Sequence, residues 1–412
     1  MSIATGPVRL RLSEAAAQTW SWLPEDEIDA DTLVQIGDVA AMPSTGLVAV
    51  MPDAHKGYGM PIGCMLATHG IVVPYAVGLD IGCGMIAART TLSAATLDPA
   101  RIRAALEVIY TLVPVGMPTR RDRRQGSHAG RQNSAVLREW ASAPAMRSGE
   151  IKSIRERADH QLGTLGSGNH FLELDNEGTG QIWFMLHTGS RSFGKAICEY
   201  WHRVALAHCE AQQRALPSRE LAFLDITSEE GRGYFQDMGY ALRFAEESRR
   251  RIFERTVEAL TRTLGPFDVT LVVDTHHNFA AIEKHIGRDL VVHRKGAVRT
   301  TALSGDPVLV TIPGSMQTGS YIGRGRASEL SFDTCAHGAG RKLGRNAVRR
   351  AHVGVDVRKE MEGEGIVLVC PPDADVLDES KRAYKDIEGV MHRQRDLVEP
   401  VVRLLPLGVL KG

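Results

Sequence analysis

Short apolar runs bounded by glycine, proline and polar residues recur at 46–51, 71–78, 182–187, 269–274, 290–293 and 308–312. Runs of this length between turn-forming residues predict β-strands. A different period appears between them. Leu242, Ala245, Ile252, Val257, Leu260 and Leu264 fall on one face at helical spacing, and Gly265-Pro266 closes the pattern. A second helix is predicted over 196–216. The stretch from about 195 to 265 therefore reads as a helical subdomain inserted in a single domain spanning 1–412. Strands and helices in this order predict an α+β fold with a mixed sheet. No internal repeat or low-complexity tract is present.

Composition narrows the classes. A chain of 412 residues can bury a large core. Its 49 basic residues balance 49 acidic ones. A general nucleic-acid binder is usually basic, so any such contact must be local. Two candidates exist: Arg120-Arg121-Asp122-Arg123-Arg124 in a Gly/Ser-rich loop, and the arginines following His337. Six cysteines without a Cys-x-x-Cys exclude a zinc ribbon and a disulfide framework, and fit a reducing compartment. The N-terminus lacks an apolar signal core. The most apolar stretch, 60–88, is broken by His69, Pro74 and Asp80, so it predicts no membrane span. A cytoplasmic protein is the expectation.

Candidate chemistry begins at His337-Gly338-Ala339-Gly340-Arg341. A histidine among small residues can be approached by a bulky phosphate ester, and neutral imidazole is a nucleophile near neutral pH. Neither a Lys-x-Asp-Gly nor a Gly-x-Ser-x-Gly offers an alternative. Arg341, Arg345 and Arg349 follow at four-residue intervals. If the segment is helical, they share one face with His337 at its start, although such a stripe taken alone is usually a solvated face. Five further segments carry potential metal ligands: 51–57 with Asp53 and His55, 77–85 with Asp80 and Cys83, 166–171 with His170, 186–191 with His187, and 274–278 with His276 and His277. Singly, each is an ordinary structural residue. Together they supply enough groups for two metal ions sharing a thiolate, and thiolate with imidazole favours zinc on softness alone.

These blocks, with Ile312-Pro313-Gly314-Ser315-Met316, make the chain closely resemble the RtcB family of RNA-splicing ligases from about Met51 to Gly412. The resemblance implies a layered mixed β-sheet core with surrounding helices. It implies a GTP- and Mn²⁺-dependent ligase with two metal ions. The enzyme would join RNA 2′,3′-cyclic phosphate or 3′-phosphate ends to 5′-hydroxyl ends through a histidine–GMP and an RNA 3′,5′-pyrophosphate-linked guanosine. By motif matching, His337 carries GMP, and Asp80, Cys83, His170, His187 and His277 hold the metals. His277 is taken over His276, which spacing leaves open, because the family ligand precedes an asparagine. Asn169, Arg191, Arg341 and Arg345 match phosphate-holding residues. Glu173, Ser315, Tyr384 and Lys411 match nucleotide contacts alongside Gly338, Ala339 and Gly340, and Asp53 matches an acidic residue near the 5′-hydroxyl site. Some relatives use an archease-like activator; a monomer is the expectation here. Gln317 stands where glycine is common, Lys56 where an uncharged residue is common, and 378–382 is unusually charged. These departures bear on tRNA splicing versus RNA repair as the role.

Two enzymes of other classes fit fragments of the pattern. Gly189-Ser190-Arg191-Ser192-Phe193-Gly194-Lys195 matches a P-loop, but Ala196 lacks the hydroxyl that binds Mg²⁺. A binuclear metal phosphodiesterase would need no nucleotide. The non-enzyme alternative is a metal-stabilised RNA-binding module.

Overall fold

Two sheets share the strand-rich part of the chain in the computed structural model, which describes residues 6–12, 16–116 and 133–412. The 120–124 arginine cluster lies outside the described residues. The first sheet runs Val8–Arg9, Gln18–Ser21, Thr45–His55, Ile62–Thr68, Arg288–Lys295, Asn278–His285. The second runs Val269–His276, Gly84–Ser93, Gln181–Thr188, Phe171–Glu177, Val398–Lys411, Ser320–Gly325, Leu309–Pro313, with Val367–Val369 added in parallel to Val398–Lys411. The pairing is otherwise antiparallel, except that Gln18–Ser21 and Thr45–His55 run parallel. The α+β class follows directly from this mixture.

Helices cover these sheets because their apolar stripes face them. Glu229–Leu264, 36 residues and thus about 54 Å long, buries Phe244, Ala245, Ile252 and Leu260 on one side. Ser228 caps its start through Gly231 N, and Gly265 ends it at φ +95°. Arg191–Ala211 packs beside it. Both helices enter the core that holds Val48, Val50, Leu66 and Val291 of the first sheet. Asp237 ties the layers together: its carboxylate accepts from the indoles of Trp140 and Trp201 and from the backbone N–H of Ala145 and Met146.

One predicted strand is corrected. Of 71–78 only Ile71–Val72 is extended, and Pro74–Val77 forms a helical turn. Pro74 sits at the first turn of a helix, where its fixed φ is favourable and its missing N–H is not needed, and Gly78 at φ +99° stops the turn. The 334–351 region also differs from expectation. Thr334–Ala336 is a strand paired with Ala297–Arg299, and helix begins only at Arg345. His337 therefore stands on a strand end and not at a helix start.

Candidate active site

Strand register delivers the metal-ligand candidates to one end of the second sheet. Met85 pairs with His187, Phe171 pairs with the same His187, and Gly84 pairs with His276. Cys83, His170 and His277 each sit one residue beyond a paired position, so all converge on His187. The Cys83 Sγ lies 3.2 Å from His187 Nε2 and 3.6 Å from His170 Nε2. His170 Nε2 is 3.1 Å from Asp80 Oδ2, and His187 Nε2 is 3.3 Å from His277 Nε2. Cys83 thus stands between an Asp80–His170 pair and a His187–His277 pair. The tandem histidines separate by strand alternation: His277 points into this cluster, whereas His276 packs edge-on to Phe279. Among the described residues, Cys83, His170 and His187 are the group that satisfies the spacing of a metal-binding triad.

The donor set explains why the cluster fits a cation. His170 Nδ1 faces Leu165 O at 3.0 Å, and His187 Nδ1 faces Asn169 O at 3.1 Å. A carbonyl can only accept, so His187 Nδ1 carries the proton and its Nε2 presents a lone pair. His170 Nδ1 lies between an acceptor, Leu165 O, and a donor, Arg191 Nη1 at 2.9 Å, so these contacts fit either tautomer. Burial pushes His170, His187 and His277 below the usual histidine range, keeping them neutral. Burial would raise the Asp80 carboxyl, but its contact with His170 and the nearby Arg191 charge bring it down to about 2. Burial and the Asp80 charge push the Cys83 thiol up. Three imidazole nitrogens, a carboxylate and a sulfur meeting within about hydrogen-bond distance of one another in a buried site fit a metal ion.

His337 borders this cluster, its ring centroid 4.8 Å from that of His277. Its Nδ1 lies 2.7 Å from Asp53 Oδ2, and its backbone N–H donates to the same oxygen at 3.3 Å. Asp53 is fully buried, at a register break near the end of Thr45–His55. His55 does not join the metal cluster; its Nδ1 meets Asp53 O at 2.9 Å, and burial holds it down at about 4. Asp53 therefore holds the imidazole rather than standing apart from it, a pairing the chain pattern did not suggest.

A cavity of about 320 Å³ opens beside His337. Asn169, Glu173, Ser315, Gly338, Ala339, Gly340, Arg341, Arg345, Tyr384 and Lys411 all line it. A neighbouring cavity of about 200 Å³ is lined by Asp80, Cys83 and His277, and shares His337 and Asn169 with the first. Arg191 lines neither; at φ +57° its guanidinium lies over Gly166, where a Cβ would meet it at 2.1 Å. Sequence reasoning missed Glu379. Its carboxylate meets Arg341 at 2.5 Å, Arg345 at 2.7 Å, the Tyr384 hydroxyl at 2.5 Å and Lys411 at 3.3 Å. The only signal was the unusual charge of 378–382. The departure at Gln317 bridges the nucleotide-side loop: Gln317 Nε2 donates to Glu364 at 3.2 Å, and Lys381 N donates to Gln317 Oε1 at 3.1 Å. Lys56 lines the cavity mouth and pairs with Asp31 at 2.7 Å.

The P-loop reading fails on geometry. Gly194 and Lys195 lie inside Arg191–Ala211, and Lys195 pairs with Glu199 on the helix surface.

Residues 35–412 match the family model described as tRNA-splicing ligase RtcB. The chain belongs to the RtcB family of RNA-splicing ligases. An Escherichia coli relative named RNA-splicing ligase RtcB is 36% identical over 402 residues, covering 95% of this chain and 96% of its own. A Methanococcus maripaludis tRNA-splicing ligase RtcB is 31% identical, with 94% and 92% covered. The Mycobacterium tuberculosis RNA-splicing ligase RtcB is 32% identical, with 92% and 100% covered. The two-sheet architecture is thus an RtcB fold. Among the described residues no helix is long and apolar enough to cross a membrane.

Proposed function

We propose that this protein is a GTP- and Mn²⁺-dependent RNA ligase acting on 3′-phosphate or 2′,3′-cyclic phosphate ends and 5′-hydroxyl ends. The observation that carries the reading is the Asp53–His337 pair between the ligand cluster and the cavity. With Nδ1–H donated to Asp53, Nε2 holds the free lone pair. The buried carboxylate offsets the positive charge the ring gains when Nε2 forms a bond. Attack by Nε2 on the α-phosphorus of GTP forms a P–N bond, breaks the α–β phosphoanhydride and releases pyrophosphate. An RNA 3′-phosphate oxygen then displaces the imidazole, leaving GMP on the RNA end. Attack of the 5′-hydroxyl on that activated phosphate expels GMP and closes the phosphodiester.

Asp80, Cys83 and His170 would hold one metal ion, and Cys83, His187 and His277 the other. Manganese there would neutralise charge developing on phosphate oxygens. The softness of the donor set still favours zinc, so manganese rests on the family. Glu173 supplies an acceptor for the guanine N1–H and N2–H₂ edge. Arg341 and Arg345 face the same cavity as phosphate partners, already oriented by Glu379. Lys411 donates to Gly168 O at 2.6 Å and holds the Asn169 loop against the cavity.

Ligation of paired RNA strands tests this reading. The expected result is joining of 3′-phosphate to 5′-hydroxyl with GTP and Mn²⁺, and none of 3′-hydroxyl to 5′-phosphate. Cyclic-phosphate hydrolysis without joining, indifferent to GTP, would favour the phosphodiesterase instead.

A further inference from the structure

Glu173 and Asp175 are two carboxyl groups on the same face of Phe171–Glu177, both buried, at 2% and 0% exposure. Glu173 lines the large cavity and Asp175 does not. Asp175 lies opposite Trp183 on one neighbouring strand and Pro406 on the other, in an otherwise apolar layer with Met185 and Leu404. Neither Asp175 oxygen meets a hydrogen-bond donor, and Glu173 Oε1 meets none either. The charged groups facing the pair are few. Lys411 acts on Glu173 from the next strand. Glu177, further along the same face, is committed to Arg89 and the Trp183 indole. Among the described residues, the one ionisable group that acts on Asp175 is Glu173, through a hydrogen bond.

Two adjacent carboxylates without a cation between them cannot both stay ionised in an apolar layer, so the pair holds a proton. A guanine edge presents donors only to Glu173, which must then be the acceptor. With guanine bound, the proton therefore belongs on Asp175. We propose that Asp175 is a positioning residue for base recognition: as a neutral acid it donates a hydrogen bond to Glu173, holding that side chain as the carboxylate that reads guanine. Burial raises both groups, which fits a shared proton. In the free protein the charge and hydrogen bond of Asp175 raise Glu173 further while the Glu173 hydrogen bond lowers Asp175, so it is the guanine edge that moves the proton onto Asp175. Asp175 touches neither nucleotide nor metal ligands and acts through Glu173 alone. The proposal rests on Glu173 being the guanine contact.

The test is self-guanylylation by the full chain with Mn²⁺, read as GTP half-saturation against maximal rate. Asp175→Leu removes the donor. Asp175→Asn replaces the acid proton with an amide N–H, and Glu173→Gln tests the underlying contact. The expected result is a rise of about tenfold in half-saturation for Asp175→Leu with the maximal rate kept, and a rise within about threefold for Asp175→Asn. Unchanged half-saturation in Asp175→Leu overturns the proposal, as does an Asn variant as impaired as Leu. If Asp175→Leu does not fold, pH decides. Wild-type half-saturation should rise as pH climbs through about 7 and the pair loses its shared proton, while that of Asp175→Asn stays flat; identical profiles overturn the idea. Glu173→Gln separates the two levels. If it too leaves half-saturation unchanged, the guanine reading has failed. If it raises half-saturation while Asp175→Leu does not, only the positioning role has.

Discussion

A carboxylate that solvent does not reach gives His337 its direction. Asp53 fixes which ring nitrogen carries the proton, and so, in the proposed mechanism, which one would attack phosphorus. Asp53→Asn keeps the shape but lets the amide turn its N–H₂ toward Nδ1, which moves the proton to Nε2 and blocks attack. The expected outcome is a fall of about 10²–10⁴-fold in the rate of GMP transfer to the protein, with the far-ultraviolet circular dichroism unchanged. A rate within a few-fold of wild type would remove Asp53 from the account. At this scale much of the site was legible, because His337, Asp80, Cys83 and His170 sit in short glycine-rich blocks whose order is distinctive. Glu379 and the Asp53 pairing were not, since each depends on partners far away in sequence. Asp53 and His337 are 284 residues apart.

The elements matter through register. Cross-strand pairing around His187 places four ligand-bearing segments together, and a shift by one residue on any strand would turn its ligand to the other face. Gly340 closes the loop after His337 at φ +69°, with the position of an absent Cβ 2.1 Å from Asp53 O. Gly340→Ala combines strain with a clash against the segment holding the histidine. The expected loss is about 2 kcal/mol or more of stability, measured by denaturant unfolding, together with weak guanylylation. A fully stable, active variant would show that this close approach is not required. The sequence pattern showed strands with clear glycine boundaries, such as Gln181–Thr188. It did not show Ile62–Thr68 or Gly84–Ser93, which are buried on both faces along most of their length and so lack alternation. Phe171–Glu177 was hidden for another reason: its carboxylates at 173, 175 and 177 face inward, the reverse of an ordinary polar face.

For the whole molecule, the ligand cluster and the core are coupled. Its donors come from strands and turns that belong to different hydrophobic clusters, so metal bound there stabilises the native state alone. Stripping metal with a chelator should lower Tm by about 2 °C or more, and Cys83→Ala should abolish that response. An equal Tm with and without metal would place the ions elsewhere. Acid stability has a separate source. Burial would raise the Glu177 carboxyl, but hydrogen bonds from Arg89, Thr179 and Trp183 hold it down at about 2. A depressed carboxylate stabilises the fold above its unfolded value, and that contribution is lost as pH falls through about 2. Glu177→Gln should therefore cost about 1–2 kcal/mol at neutral pH, discounted because Arg89 is half-exposed, and nothing near pH 2. Unfolding curves at both pH values check this.

The most direct measurement is the intact mass of the protein after incubation with Mn²⁺ and GTP, beside a His337→Ala variant treated identically. The expected result is a gain of one GMP on the parent chain, lost on mild acid treatment as a P–N bond should be, and no gain on the variant. An adduct that survives in His337→Ala, or no adduct on a metal-loaded parent with any nucleoside triphosphate, would contradict it.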